Sequence, residues 1–179
     1  MRWVWATLLA VCLAGSATAE VYRDRSVPIS TVTVFDVERY QGLWYEIARF
    51  PIWFEKGCYG VTASYALRTD GEVDVVNTCR DGSLAAEPRG STGRARVEAG
   101  GKLSVTFTPW LPFIRGDYWV LGLRSDYSVA VIGNPRGRSG WILARDPQIS
   151  DADRAWAETV LARNGYDIGK LYSTPQRSE

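Results

Sequence analysis

The stretch "GLWYEIARFP", Gly42 to Pro51, sets two large aromatic residues directly after a glycine and continues as a short alternating segment. Alternation with a period of two marks a strand with one buried face, and it predicts a strand over 43–51. Outward from this stretch the pattern recurs in short runs broken by turn residues, predicting further strands at 59–68, 72–80, 90–98, 102–108, 117–124, 127–133 and 140–146. No repeat, linker or low-complexity stretch divides them, so residues 20–179 read as one domain.

The connections alternate in length. The second, fourth and sixth are tight (Thr69-Asp70-Gly71, Ala99-Gly100-Gly101, Ser125-Asp126), whereas the first, third, fifth and seventh are longer (51–58, 80–89, 109–116, 134–139). In an up-and-down meander odd and even connections lie at opposite ends, so one end is drawn tight and the other left open. The expected fold is therefore all-β, an eight-stranded antiparallel barrel shaped as a cup that can hold one small ligand. One helix follows and packs outside the barrel. Ser150 caps it with Asp153 three residues on, Ala152, Ala155, Trp156, Thr159 and Val160 form an apolar stripe toward the sheet, and Gly165 ends it.

Three short motifs make the pattern specific. Gly42-Leu43-Trp44-Tyr45-Glu46 resembles the glycine-x-tryptophan signature of lipocalins, Ser125-Asp126-Tyr127 resembles their second motif, and Arg145, closing "WILAR", resembles the arginine of their third. The similarity runs from Phe35 to the C-terminal helix, and "GLWYEIARFP", "VTASYAL" and "DYWVLGLRSDY" place it nearest the branch of bacterial lipocalins and apolipoprotein D. Ser125 departs slightly, standing where threonine is common in the family. The resemblance implies that Trp44 lies at the closed base, its face against the Arg145 guanidinium. Gly42, lacking a Cβ, lets the chain enter closely beneath it. Gly42, Trp44 and Arg145 are thus expected to be structural.

Ligand contacts are expected higher in the cup. With Trp44 inward, strict alternation also turns Glu46, Ala48 and Phe50 inward. On other strands the more apolar face gives Val61, Ala63, Tyr65 and Leu67, then Val73, Val75 and Asn77, then Leu103, Val105 and Phe107, then Ala130 and Ile132, then Trp141 and Leu143. The sixth strand is apolar on both faces, and the resemblance implies Tyr118 and Val120 inward with Trp119 and Leu121 under the helix. Trp110, in the fifth connection, is expected to face the ligand from the mouth. Such a lining suits an acyl chain or another elongated apolar molecule, with Glu46, Tyr65, Asn77 and Tyr118 as scattered polar partners.

The first and fifth connections, "PIWFEKG" and "PWLPFIRGD", put Ile52, Trp53, Phe54, Trp110, Leu111, Phe113 and Ile114 at the open end. An apolar rim of this kind marks a contact surface: a ligand entrance, a transient membrane contact, or a dimer face. Arg136 and Arg138 in the seventh connection lie on the same rim.

Composition removes several function classes. The chain has no histidine, which excludes Ser-His-Asp and Cys-His nucleophiles, histidine-ligated zinc and the usual proximal haem ligand. No phosphate-cradling glycine loop is present, and no cofactor or metal is expected. Residues 1–19 read as an export signal, with Arg2, an apolar stretch over 4–14 and Ala17-Thr18-Ala19 as the cleavage site, so the mature chain is expected to begin near Glu20. Without Arg2, twenty basic residues face twenty acidic ones, a balance that points away from nucleic acid. Cys12 after Leu9-Ala10-Val11 offers an alternative, a lipid-acceptor cysteine, although Val11 stands where that signal has a small residue.

Cys58 and Cys79 remain after cleavage, an even number in an exported chain, and predict a disulfide. The hairpin through Thr69-Asp70-Gly71 brings them nearly opposite each other beside the open rim, with a bulge to settle the register.

The expected protein is a periplasmic, non-enzymatic carrier or scavenger of a small apolar ligand such as a fatty acid or lysophospholipid, a monomer or weak dimer. The alternatives are a lipocalin-fold enzyme using Glu46 or Tyr118 as acid or base, and an interaction protein using its rim.

Overall fold

In the computed structural model, which describes residues 20–111 and 113–177, the expected meander is present. Helix α1 (Val37–Tyr40) leads into β1 (Gly42–Arg49), followed by β2 (Cys58–Leu67), β3 (Val73–Asp81), β4 (Pro88–Ala99), β5 (Lys102–Thr106), β6 (Gly116–Leu123), β7 (Val129–Gly133) and β8 (Trp141–Ala144). Helix α2 (Asp151–Arg163) and a two-residue strand, β9 (Tyr172–Ser173), complete the order. Consecutive strands pair antiparallel, and β1 pairs with both β2 and β8, which closes the barrel. The signal read over 1–19, and Cys12 within it, lie outside the described residues. No helix among the described residues is long and apolar enough to cross a membrane.

Alternation divides the apolar side chains into two cores. Trp44, Ala63, Tyr65, Val73, Val75, Leu103, Val120, Ala130, Ile132 and Leu143 fill the barrel interior. Leu121, Val129, Val131, Ile142 and Ala144 face outward and pack beneath α2, together with Trp119. Trp119 and Leu121 therefore lie where the sequence reading puts them.

The helix begins and ends as expected, with the Ser150 side chain accepting from the Asp153 N–H and Gly165 at a left-handed φ of +84°. Its buried stripe differs from the expected one. Ala152, Ala155 and Thr159 are exposed, whereas Ala157 and Leu161 are buried, flanked by Trp156 and Val160. Both stripes have helical periodicity, and the larger Leu161 side chain decides which faces the sheet.

At the tight end α1 tucks under the barrel, capped by the Asp36 carboxylate, which accepts from the Glu38 and Arg39 N–H groups. Trp44 is fully buried above it and donates its indole N–H to the Tyr40 carbonyl at 2.9 Å. Gly42 takes φ +90°, and a Cβ there would stand 3.4 Å from an Arg145 nitrogen. Its glycine thus serves both the turn into β1 and the approach of that arginine.

The wall between β1 and β2 is paired only as far up as Tyr45 and Thr62. Above that point the C-terminal segment fills the split. Strand β9 pairs with Ala48 and Arg49, the Gln176 amide donates to the carbonyls of both Glu46 and Val61 at 2.8 Å, and the Gly60 N–H reaches the Pro175 carbonyl at 2.9 Å.

Candidate functional site: the barrel cavity and its mouth

Strand β1 carries a bulge between Glu46 and Ala48, where its register against β8 slips by one residue. Below the bulge Trp44 and Glu46 point inward. Above it the parity reverses, so Ala48 and Phe50 face outward, packed with Tyr22, Ile142 and Tyr166, and Arg49 turns inward. The expectation that Ala48 and Phe50 line the cavity is thereby corrected, because strict alternation does not survive an inserted residue.

The cavity occupies about 250 Å³ above the base and is lined by Glu46, Ala63, Tyr65, Asn77, Val105, Phe107, Tyr118 and Trp141, all expected there. Trp110 is not among its lining residues; it stands 73% exposed in the fifth connection, at the rim rather than in the cavity wall. Phe54, expected at the open end, joins the lining, and Glu55, Asp117, Thr62, Gly116 and Ser139 were not anticipated there. A vestibule of about 510 Å³, sharing Phe54, Glu55, Val61, Asn77 and Phe107 with the cavity, opens beside the Cys58–Cys79 disulfide. That disulfide is formed as expected, across a Cα separation of 5.3 Å. Cys58 itself lies opposite Asp81, and a bulge between Tyr59 and Thr62 sets the offset.

Two polar clusters mark the cavity. On its floor the Tyr118 hydroxyl joins those of Tyr40 and Tyr65, at 2.8 and 2.9 Å. Burial pushes all three phenols up, Tyr65 to about 12. Nearer the mouth, Arg49 is 4% exposed and donates to Glu46 Oε1 at 2.6 Å, Thr174 Oγ1 at 3.0 Å and the carbonyls of Glu55 and Cys58 at 2.9 and 3.3 Å. Its Nε lies 3.6 Å from Glu55 Oε2, which accepts from the Trp141 indole at 3.2 Å.

One guanidinium therefore serves two carboxyls in a nearly dry site. Burial pushes the Glu46 carboxyl up against the opposing pull of Arg49 and Thr174. Burial, reinforced by the Glu46 charge, pushes Glu55 up to about 8. Glu55 sits in a short 3-10 turn, Trp53–Glu55, that folds the first connection over the mouth. Sequence reading missed it because nothing periodic marks a loop residue that returns to the barrel. A signal for Arg49 was present: in Glu46-Ile47-Ala48-Arg49 two apolar residues separate two charged ones, so a single bulge sets both charges on one face.

The rim is apolar as expected: Trp53 is 85% exposed, Trp110 73% and Phe113 79%, with Phe54 and Ile114 also exposed. Arg136 and Arg138 are exposed, and Arg138 borders the groove outside the mouth with Arg49, Trp53 and Tyr172.

A closed antiparallel barrel with one blocked end and an aromatic cavity at the other defines a class of small-ligand binding proteins. The chain belongs to the lipocalin family, whose members bind small hydrophobic ligands: the family model for the lipocalin-like domain matches residues 35–176. It is 38% identical over 154 residues to temperature-induced lipocalin-1 of Arabidopsis thaliana, covering 83% of each chain. It is 37% identical over 145 residues to outer membrane lipoprotein Blc of Escherichia coli, covering 80% of each, and 33% identical over 153 residues to apolipoprotein D of Mus musculus, covering 79% of this chain and 77% of that one. Among solved structures, the cockroach allergen Per a 4 superposes with a TM-score of 0.64 at 22% identity, over 86% of this chain and 97% of that one. Lobster apocrustacyanin A1 gives the same TM-score at 15% identity, over 85% and 91%.

Proposed function

We propose that the chain is a non-enzymatic carrier or scavenger of elongated apolar molecules of the fatty acid or lysophospholipid kind, acting after export in a bacterial periplasm. The observation that carries this reading is the cavity, whose wall is aromatic and aliphatic with a few buried polar groups. Burying an acyl chain there is favourable by roughly 0.8 kcal/mol per methylene removed from water.

An enzymatic role for Glu46 or Tyr118 is less well supported. Glu46 Oε1 is already held by Arg49 and Thr174, and Tyr118 is bonded to two other phenols and pushed well above the ordinary tyrosine range by burial. The exposed Trp53, Phe54, Phe113 and Ile114 suit transient contact with a membrane during lipid exchange by a monomer or weak dimer. Cleavage near Ala19 would yield a soluble product. The Escherichia coli relative is an outer membrane lipoprotein, which favours the other outcome, an outer-membrane anchor through Cys12.

Extraction of protein taken from the exported fraction, followed by mass spectrometry, tests the reading. A co-purifying lipid is expected, whereas chemically altered lipid would indicate the enzyme and an empty barrel the rim-based interaction protein. The mass of the mature amino terminus separates the soluble from the acylated form.

A further inference from the structure

The charged groups that line the cavity are Glu46, Glu55 and Asp117, all acidic. Arg49, the cation paired with Glu46 and Glu55, is not itself among the lining residues, and its donors are turned to Glu46, Thr174 and the carbonyls of Glu55 and Cys58. Its single charge faces two carboxyls, so this buried group is one cation short of neutral when both are ionised. A ligand carboxylate entering here would meet like charge, with no free basic side chain among the described lining residues to receive it.

The aromatic lining points the same way. Phe54, Tyr65, Phe107, Tyr118 and Trp141 surround the space, and ring faces attract cations, most strongly where water is excluded. Of the donors that a carboxylate could use, the Trp141 N–H is turned to Glu55 and the Tyr65 and Tyr118 hydroxyls are joined to each other, which leaves the uncharged Asn77 amide.

We propose that the cavity recognises an amphiphile whose polar end is an ammonium, with the nitrogen held between the Glu46 and Glu55 carboxylates and the aromatic wall, in preference to one that ends in a carboxylate. This rests on the carrier reading and narrows it by the charge of the headgroup. A lysophospholipid with an amine head fits; a free fatty acid enters the same space at an electrostatic disadvantage.

The test compares dodecylamine, dodecanol and dodecanoate by calorimetric titration of the unmodified protein, at a pH of about 9. That lies above the Glu55 value of about 8 and below that of an alkylamine, about 10.4 by analogy with lysine. The amine should bind about tenfold or more tighter than the alcohol, and the carboxylate more weakly than the alcohol. In Glu55→Gln the ratio of amine to alcohol affinity should fall about threefold or more. Dodecanol binding with the amine no tighter, or with the carboxylate tightest, overturns the ammonium preference and leaves the carrier standing. Failure of all three to bind overturns the carrier reading and this one with it. If Glu55→Gln does not fold, the ranking in the unmodified protein decides.

Discussion

The guanidinium carbon of Arg145 lies 4.0 Å from the centre of the Trp44 ring. Around that contact the Arg145 nitrogens donate to the Leu43 and Arg39 carbonyls at 2.8 and 2.9 Å, so one side chain ties β8 to β1 and α1. Arg145→Ala removes the stacking and these hydrogen bonds, together with a third from Nε to the Tyr127 carbonyl at 3.4 Å, and should lower stability by about 1–3 kcal/mol in chemical denaturation. Ligand ranking should not change, because Arg145 is not among the cavity-lining residues. A variant with normal melting and altered ligand choice would contradict this.

Ala63 faces the cavity between Trp44 on one neighbouring strand and Asn77 on the other. Ala63→Trp should occupy the space that a ligand needs, weakening binding by about tenfold or more while the barrel remains folded. The far-ultraviolet spectrum checks the fold and a lipid titration checks the binding. Unchanged affinity would place the ligand elsewhere.

Ligand occupancy should also be visible in fluorescence. Trp141 lines the cavity and Trp110 does not, so quenching by a bound environment-sensitive lipid probe should be lost in Trp141→Phe and retained in Trp110→Phe. Equal quenching in both variants would show that the signal comes from another tryptophan.

Glu55 gives stability a pH dependence of defined sign. Its folded value, about 8, is raised above the ordinary 4.5, so between these values the folded state holds a proton that the unfolded chain releases. Stability should therefore fall as pH rises from about 4.5 to about 8 and lose this slope above it. Denaturant midpoints across that window should decline in the natural chain and flatten in Glu55→Gln.

The Cys58–Cys79 disulfide spans 21 residues and, with Val61, forms a small apolar cluster beside the vestibule. Reduction should cost about 3 kcal/mol in the loop-entropy description, measured as a shift in denaturant midpoint. Peptide mapping without reductant should recover the two cysteines linked within one chain. A link between chains would point instead to a covalent dimer.

The barrel was legible because its strands announce themselves locally, by alternation and by turns whose lengths alternate. The inward faces of β2, β3 and β5 followed from choosing the more apolar parity, and Ala63, Tyr65, Asn77 and Val105 fell where expected. Parity failed above Glu46, because a bulge is a relation between β1 and β8 and neither strand states it alone. Arg49, Glu55 and Thr174 come from a strand, a loop and the C-terminal segment, and only the closed barrel brings them together. The helix stripe failed for a different reason: in an alanine-rich helix several faces have similar hydrophobicity, and the groove presented by the sheet chooses among them.

The seam between β1 and β2 has a kinetic consequence. Gln176 reaches the Glu46 carbonyl from 130 positions away, and β8 must return to β1 before the sheet has no free edge. Contacts so distant in sequence form late, since the loops that they close are long. Until then β1 presents unpaired backbone groups and the acids of the cavity are still in water. Refolding should thus show an early phase in which the β2–β3 hairpin acquires protection from hydrogen exchange and a slower one in which Glu46 and its neighbours do, so the acidic side of the cavity is the last part of it to exist.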